Sequence, residues 1–125
     1  MRVIIAGSRD LMPATRQDVF SWRMQCVAHA VQESGFDISV VISGGAEGID
    51  TVGEAWAKQN SIPVERYPAN WRKYAKAAGH IRNEEMAKVA QALICIWDGM
   101  SPGSRNMLET ASRYGLRIRV FQPTD

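Results

Sequence analysis

Ile38-Ser39-Val40-Val41-Ile42-Ser43-Gly44-Gly45-Ala46-Glu47-Gly48-Ile49-Asp50-Thr51-Val52 is the stretch that decides the fold. It opens on a β-branched apolar run, breaks at a glycine-rich turn, and continues with Val52, Ala55 and Trp56 on one helical face. The reading is therefore strand, tight turn, helix. Glycines allow the backbone to approach a ligand closely, so successive N–H groups can converge on one anion. The free N–H groups and positive dipole end of the following helix add to that attraction. The run is neither a Walker A loop nor GxGxxG. Asp50 is read either as the helix N-cap or as an acceptor for a ribose hydroxyl.

The same pattern recurs on both sides. Val3-Ile4-Ile5-Ala6 is a strand stopped by Gly7-Ser8-Arg9, and a helix after Pro13 carries Phe20, Met24, Val27 and Val31 in one stripe, ending near Gly35. Ile62 to Tyr67 is a third strand, placed towards an edge by Pro63. Pro68 to Ile81 is irregular, and Arg82 to Ala90 reads as helix. Ala92 to Trp97 is a fully buried strand, followed by a turn over Asp98–Ser104, a helix over Arg105–Tyr114 and a last strand over Arg117–Phe121. The expectation is one α/β Rossmann-like domain over residues 1–125, with about five mostly parallel strands and helices on both faces. Ligands in such sheets bind outside the carboxyl ends of the strands. That rule selects Gly7–Arg9, Ser43–Asp50 and Asp98–Asn106.

Composition narrows the class of function. A net charge of +2 disfavours a protein built to wrap duplex DNA, so nucleic acid is not the expected partner. Of the fifteen basic residues eleven are Arg, whose planar fork suits phosphate oxygens. Arg82 is the favoured phosphate anchor, because a cation opening a helix is poorly placed unless an anion binds there. Asn83 follows it. Arg9 and Arg105 are the alternatives, and Ser104 serves either as a helix cap or as a ligand contact. Trp71 stacks on a base or packs over the sheet edge.

Trp56 and Trp97 read as core. Trp22 and Phe20 give the first helix apolar surface, which serves either packing on the sheet or association with another subunit. Cys26 and Cys95 lie in apolar stretches without metal spacing, and His29 and His80 have no partners at ligand spacing. No metal and no cofactor is assigned. The opening run Met1–Ile5 enters a strand rather than a cleavable leader, and no stretch has the roughly 20 apolar residues of a membrane span. A cytoplasmic protein is the expectation.

The motifs in order are Gly7-Ser8-Arg9, Gly44-Gly45-Ala46-Glu47-Gly48-Ile49-Asp50, Ala69-Asn70-Trp71, Ala77-Ala78-Gly79-His80-Ile81-Arg82-Asn83-Glu84-Glu85-Met86 and Pro102-Gly103-Ser104-Arg105-Asn106-Met107. Over nearly the whole chain they resemble the YspA-like branch of the SLOG superfamily, related to the LOG phosphoribohydrolases and to the DNA-processing protein A fold. The resemblance implies a nucleotide, ADP-ribose or NAD-derived ligand that is sensed, carried or sequestered, and a homo-oligomer for which the first helix is one candidate surface. Carried over by position, its contacts would be Gly7, Ser8, Arg9, Gly44, Gly45, Gly48, Asp50, Arg82, Asn83, Gly103 and Ser104. Glu47, Asn70 and Ala75 depart from the basic, acidic and glycine residues usual in that branch. The hydrolases carry an acid shortly after the last glycine turn, where this chain has Asn106 and Met107. A binding protein is therefore the first reading and a nucleoside-phosphate N-glycosidase the alternative, with Asp50, Glu47 or Asp98 as substitute acids.

Overall fold

A computed structural model describes residues 1–123. Five parallel strands, β1 (Arg2–Gly7), β2 (Val40–Ser43), β3 (Val64–Arg66), β4 (Ala92–Ile96) and β5 (Arg117–Phe121), form one sheet in the order β3-β2-β1-β4-β5. Between them run α1 (Val19–Ser34), α2 (Ile49–Gln59), the short α3 (Trp71–Tyr74), α4 (Ala78–Val89) and α5 (Pro102–Arg113). The order reverses between β1 and β4, because the chain builds outward to β3 and then returns to the other side of β1.

Central strands without polar alternation must be covered on both faces, and here they are. Val3 and Ile5 of β1, Val41 of β2 and Ile94 and Ile96 of β4 pack against Trp22, Cys26 and Val27 of α1 and Ile49 and Val52 of α2. Ile4, Ile42, Leu93 and Cys95 point the other way, onto Met86 and Ala87 of α4 and Met107 and Ala111 of α5. Ile4, Ile5, Ile42, Leu93 and Ile94 are wholly buried, each stabilising the fold by about 1.5–3 kcal/mol. Trp22 is only 7% exposed and belongs to this core. It offers no outer surface for association, unlike Phe20, which is exposed.

Strand β3 is shorter than the Ile62–Tyr67 run read from the sequence, and the starts of three helices also depart from that reading. Helix α1 starts later than Pro13 suggests, at Val19, where the Asp18 side chain accepts from the Ser21 N–H at 2.8 Å. Helix α4 starts at Ala78 and not at Arg82: a short helix capped by Asn70 and a 3₁₀ turn over Ala75–Ala77 lead into it. Helix α5 starts at Pro102 and not at Arg105. Its fixed φ favours proline in a first helical turn, and the Asp98 carboxylate accepts from the Met100 and Ser101 N–H groups at 2.7 and 2.9 Å just before it. Those bonds hold Asp98 below the usual carboxylate pKa range. Of the turn read over Asp98–Ser104, Pro102 to Ser104 are thus the first turn of α5, with Ser104 inside the helix rather than capping it. No helix among the described residues is long and apolar enough to cross a membrane.

Candidate functional site

At the carboxyl ends of the strands lies a cleft of about 340 Å³. The end of β1 and the loop after it contribute Gly7, Arg9 and Asp10. The loop after β2 contributes Ala46 and Glu47, the first turn of α2 Asp50, and α4 Arg82, Asn83 and Met86. Ser101 and the first turn of α5, Pro102 to Ser104, close the remaining side, with Met107 one turn further on.

Two close approaches shape this cleft. Gly48, at φ +89°, precedes α2, and a Cβ there would lie 2.3 Å from the Arg9 carbonyl oxygen. Only glycine allows the loops after β1 and β2 to meet. A Cβ on Gly44 would lie 2.6 Å from a guanidinium nitrogen of Arg82. That arginine instead donates to the Gly44 carbonyl at 2.8 Å and to Asn83 Oδ1 at 3.0 Å. Asn83 in turn donates to Asn106 Oδ1 at 2.8 Å. A polar chain therefore runs from the β2–α2 loop through α4 to α5.

Asp50 is the most unusual group. It sits in the first turn of α2, only 7% exposed, and its Oδ2 accepts from the Ala46 N–H at 3.3 Å. Burial pushes its carboxyl up to about 6, against the opposing pull of Arg82 and of backbone N–H groups at Ala46 and Gly7. Asp50 is no helix cap: that position belongs to Gly48, which makes no side-chain bond. Beneath the cleft, burial also pushes the Cys95 thiol up to about 12, so it is no nucleophile at neutral pH.

Of the residues singled out in the sequence, Gly7, Arg9, Asp50, Arg82, Asn83, Gly103 and Ser104 line the cleft together. Others named with them support its walls. The Ser8 hydroxyl accepts from the Asp98 N–H at 2.9 Å, tying the end of β1 to the turn after β4. Ser43 donates to Glu54 at 2.6 Å and accepts from the Gly45 N–H at 3.0 Å. Arg105 leans over the Trp97 ring, 5.9 Å from its centroid. Arg82 is the fifth residue of α4, so the argument that it opens a helix does not hold.

Trp71 neither lines the cleft nor packs in the core; it begins α3 at 62% exposure, near Gly79. Trp71→Ala is accordingly expected to change stability by no more than about 0.5 kcal/mol, as an exposed substitution does. A thermal melt of the variant checks this, and a loss of several degrees would mean that the ring packs against something.

Asp10, Met86 and Met107 lie outside the ranges that the sequence selects, and Ala46, Ser101 and Pro102 lie inside them without being named singly as contacts. A signal for the methionines was present. Met86 stands four residues after Arg82 and Met107 four after Gly103, which puts each pair on one helical face.

Parallel strands wound in both directions from β1, with a cleft at the point of reversal, define a doubly wound α/β protein. The chain belongs to the YspA, cpYpsA-related SLOG family, whose model matches residues 1–74. It is 32% identical over 127 aligned positions to the Gene 61 protein of Mycobacterium phage D29, across 96% of this chain and 95% of that one. Its fold is similar to that in the X-ray structure of DNA processing protein A (DprA) from Streptococcus pneumoniae, with a TM-score of 0.70 and 20% identity. That likeness covers 98% of this chain, which spans 50% of the DprA chain.

Proposed function

We propose that the cleft binds a small nucleotide-derived ligand, a nucleotide or an ADP-ribose or NAD derivative, which the protein senses, carries or sequesters. The observation that carries this reading is the cleft's position at the β1–β4 reversal, framed by the first turns of α2 and α5. Open α/β sheets bind ligands at that point. The Gly103 and Ser104 N–H groups belong to the first turn of α5, where backbone donors lack helical partners and favour an anion.

Gly103 supplies a clean test. A Cβ there meets nothing within 4 Å, so a large side chain can project from the cleft wall without disturbing the fold. Gly103→Trp should lower nucleotide affinity by at least about tenfold, roughly 1.4 kcal/mol, while the melting temperature of the free protein stays the same. Calorimetric titration reads the affinity, and mass spectrometry of ligand released from purified protein names the compound. Unchanged affinity in a folded variant would place binding elsewhere. An oligodeoxynucleotide is the control, because the structurally similar chain is a DNA processing protein and a net charge of +2 predicts weak binding.

One observation favours a second reading, cleavage of the bond between base and ribose. Asp50 faces the cleft with a carboxyl near 6, the range in which an acid or base works at neutral pH. Asn106 is bonded to Asn83 and Met107 is apolar, so neither supplies the acid that the hydrolases carry after the last glycine turn. Free base and ribose phosphate appearing on incubation, and absent with Asp50→Asn, would establish cleavage.

A further inference from the structure

The net charge of +2 hides an uneven distribution. Residues 66–83 hold five of the fifteen Lys and Arg and none of the thirteen Asp and Glu. The other ten bases and thirteen acids leave the rest of the chain at −3. Two of the five cations are engaged: Arg66 pairs with Glu54, and Arg82 is bonded to Gly44 and Asn83 at the cleft. Arg72, Lys73 and Lys76 are exposed, and among the described residues none of them has a carboxylate within ion-pair reach.

These three cations follow Trp71 within five positions. The indole is 62% exposed, and its turn is fixed at the start by Asn70, whose side chain accepts from the Lys73 N–H at 3.0 Å. The ring borders the first turn of α4, where a Cβ on Gly79 would lie 3.7 Å from it. None of the four residues lines the cleft. A tryptophan ordinarily buries most of its large apolar surface. Left open beside an arginine, it has the composition of a protein interface, where Trp, Tyr and Arg are the side chains whose truncation costs most.

The unpaired cations set the sign of the partner, because a surface that carries carboxylates complements them. Nucleic acid is also anionic, but a single strand needs successive rings to stack on. The segment's second ring, Tyr74, is only partly exposed and has Lys73 Nζ over its face, 5.1 Å from the centroid. One open ring suits a single apolar contact flanked by carboxylates better than a run of bases. A long polyanion that extended past the patch would also meet a remainder of the chain that is negative overall.

We infer that Trp71, Arg72, Lys73 and Lys76 form a docking surface for an acidic protein segment. Apolar side chains of that segment pack on the indole, and its carboxylates meet the three cations. The surface is independent of the nucleotide reading, so Gly103→Trp should leave it intact. To test it, the full chain is screened against a displayed library of short random peptides. The best binders are titrated by fluorescence anisotropy against wild type, Trp71→Ala and the triple variant Arg72→Gln, Lys73→Gln, Lys76→Gln. A thymidine oligodeoxynucleotide is titrated beside them.

The enriched peptides should carry several Asp or Glu beside an apolar residue. Their affinity should fall at least about tenfold in each variant, as truncation at the centre of an interface does. It should also weaken as salt is added. The triple variant keeps the indole in place, so it decides alone if Trp71→Ala does not fold. No enriched peptide, peptides without an acidic bias, or acidic peptides that bind a folded variant as tightly as wild type each overturn the inference. So does an oligodeoxynucleotide that binds wild type more tightly than the best peptide and loses that affinity in the triple variant, which would assign the surface to nucleic acid.

Discussion

Replacing Asp50 by asparagine should make the ligand-free protein more stable at pH 8, by as much as roughly 2–3 kcal/mol, and should change little at pH 4. Burial raises the Asp50 carboxyl from 3.8 to about 6 in the folded protein. In the unfolded chain it titrates near its ordinary value. Between about pH 4 and pH 6 the unfolded chain has released this proton while the folded protein still holds it. Stability then falls as pH rises, because the folded state binds more protons. Above about pH 6 both states are ionised and the penalty is complete. Each tenfold change in proton affinity corresponds to about 1.4 kcal/mol, and the rise from 3.8 to about 6 sets the upper limit of the gain. Asparagine carries no charge to bury, so the penalty disappears with it.

The gain will be smaller than the full penalty. The asparagine amide keeps one acceptor for the Ala46 and Gly7 N–H groups, and its NH₂ faces donors. Urea denaturation of wild type and variant at pH 4, 6 and 8 checks the prediction. The difference between them is the readout, since Asp98, held low by backbone N–H groups, contributes with the opposite sign in both proteins. A variant less stable than wild type at pH 8 would show that the carboxylate's hydrogen bonds outweigh its desolvation. A chain that keeps a destabilising charge on the wall of its cleft is expected to use it there.

Much of the architecture was legible because the central strands are buried on both faces. Ile4 and Ile5, or Leu93 and Ile94, point to opposite sides of the sheet, so β1 and β4 read as unbroken apolar runs. Glycine and proline misled at the helix starts. Gly79 made the opening turn of α4 look irregular, and Pro102-Gly103 looked like a turn although proline suits the first turn of a helix. Moving those boundaries altered the site. Arg82 stayed in it through its bond to Gly44, a contact across 38 positions that no local pattern encodes. The burial of Asp50 was equally hidden, because an acid in a helix's first turn is ordinarily exposed and stabilising. Met86 and Met107 serve both the core and the cleft, and an apolar stripe cannot separate the two roles.

The placement of Arg82 yields a second large effect. Were Arg82 a phosphate anchor and nothing else, Arg82→Ala would weaken ligand binding and leave the free protein alone. The structure changes the second half of that expectation. The guanidinium holds the Gly44 carbonyl and Asn83, and it is the cation that moderates the burial of Asp50. Arg82→Ala should therefore destabilise the free protein at pH 8 by about 1.5–3 kcal/mol, the range for a hydrogen bond to a charged group. At pH 4 Asp50 is protonated in the fold, and the loss should shrink to the part due to Gly44 and Asn83. Nucleotide affinity should also fall, by about 10- to 150-fold on the same energy scale. A double-mutant cycle separates the two roles. In the Asp50→Asn background at pH 8, Arg82→Ala should cost about 1 kcal/mol less than in wild type, since contacting charged residues couple by 0.5–3 kcal/mol, as an approximate range. An equal cost in both backgrounds would mean that Arg82 acts through the Gly44 carbonyl alone, as a brace for the loop after β2, and that Asp50 bears its buried charge without its help.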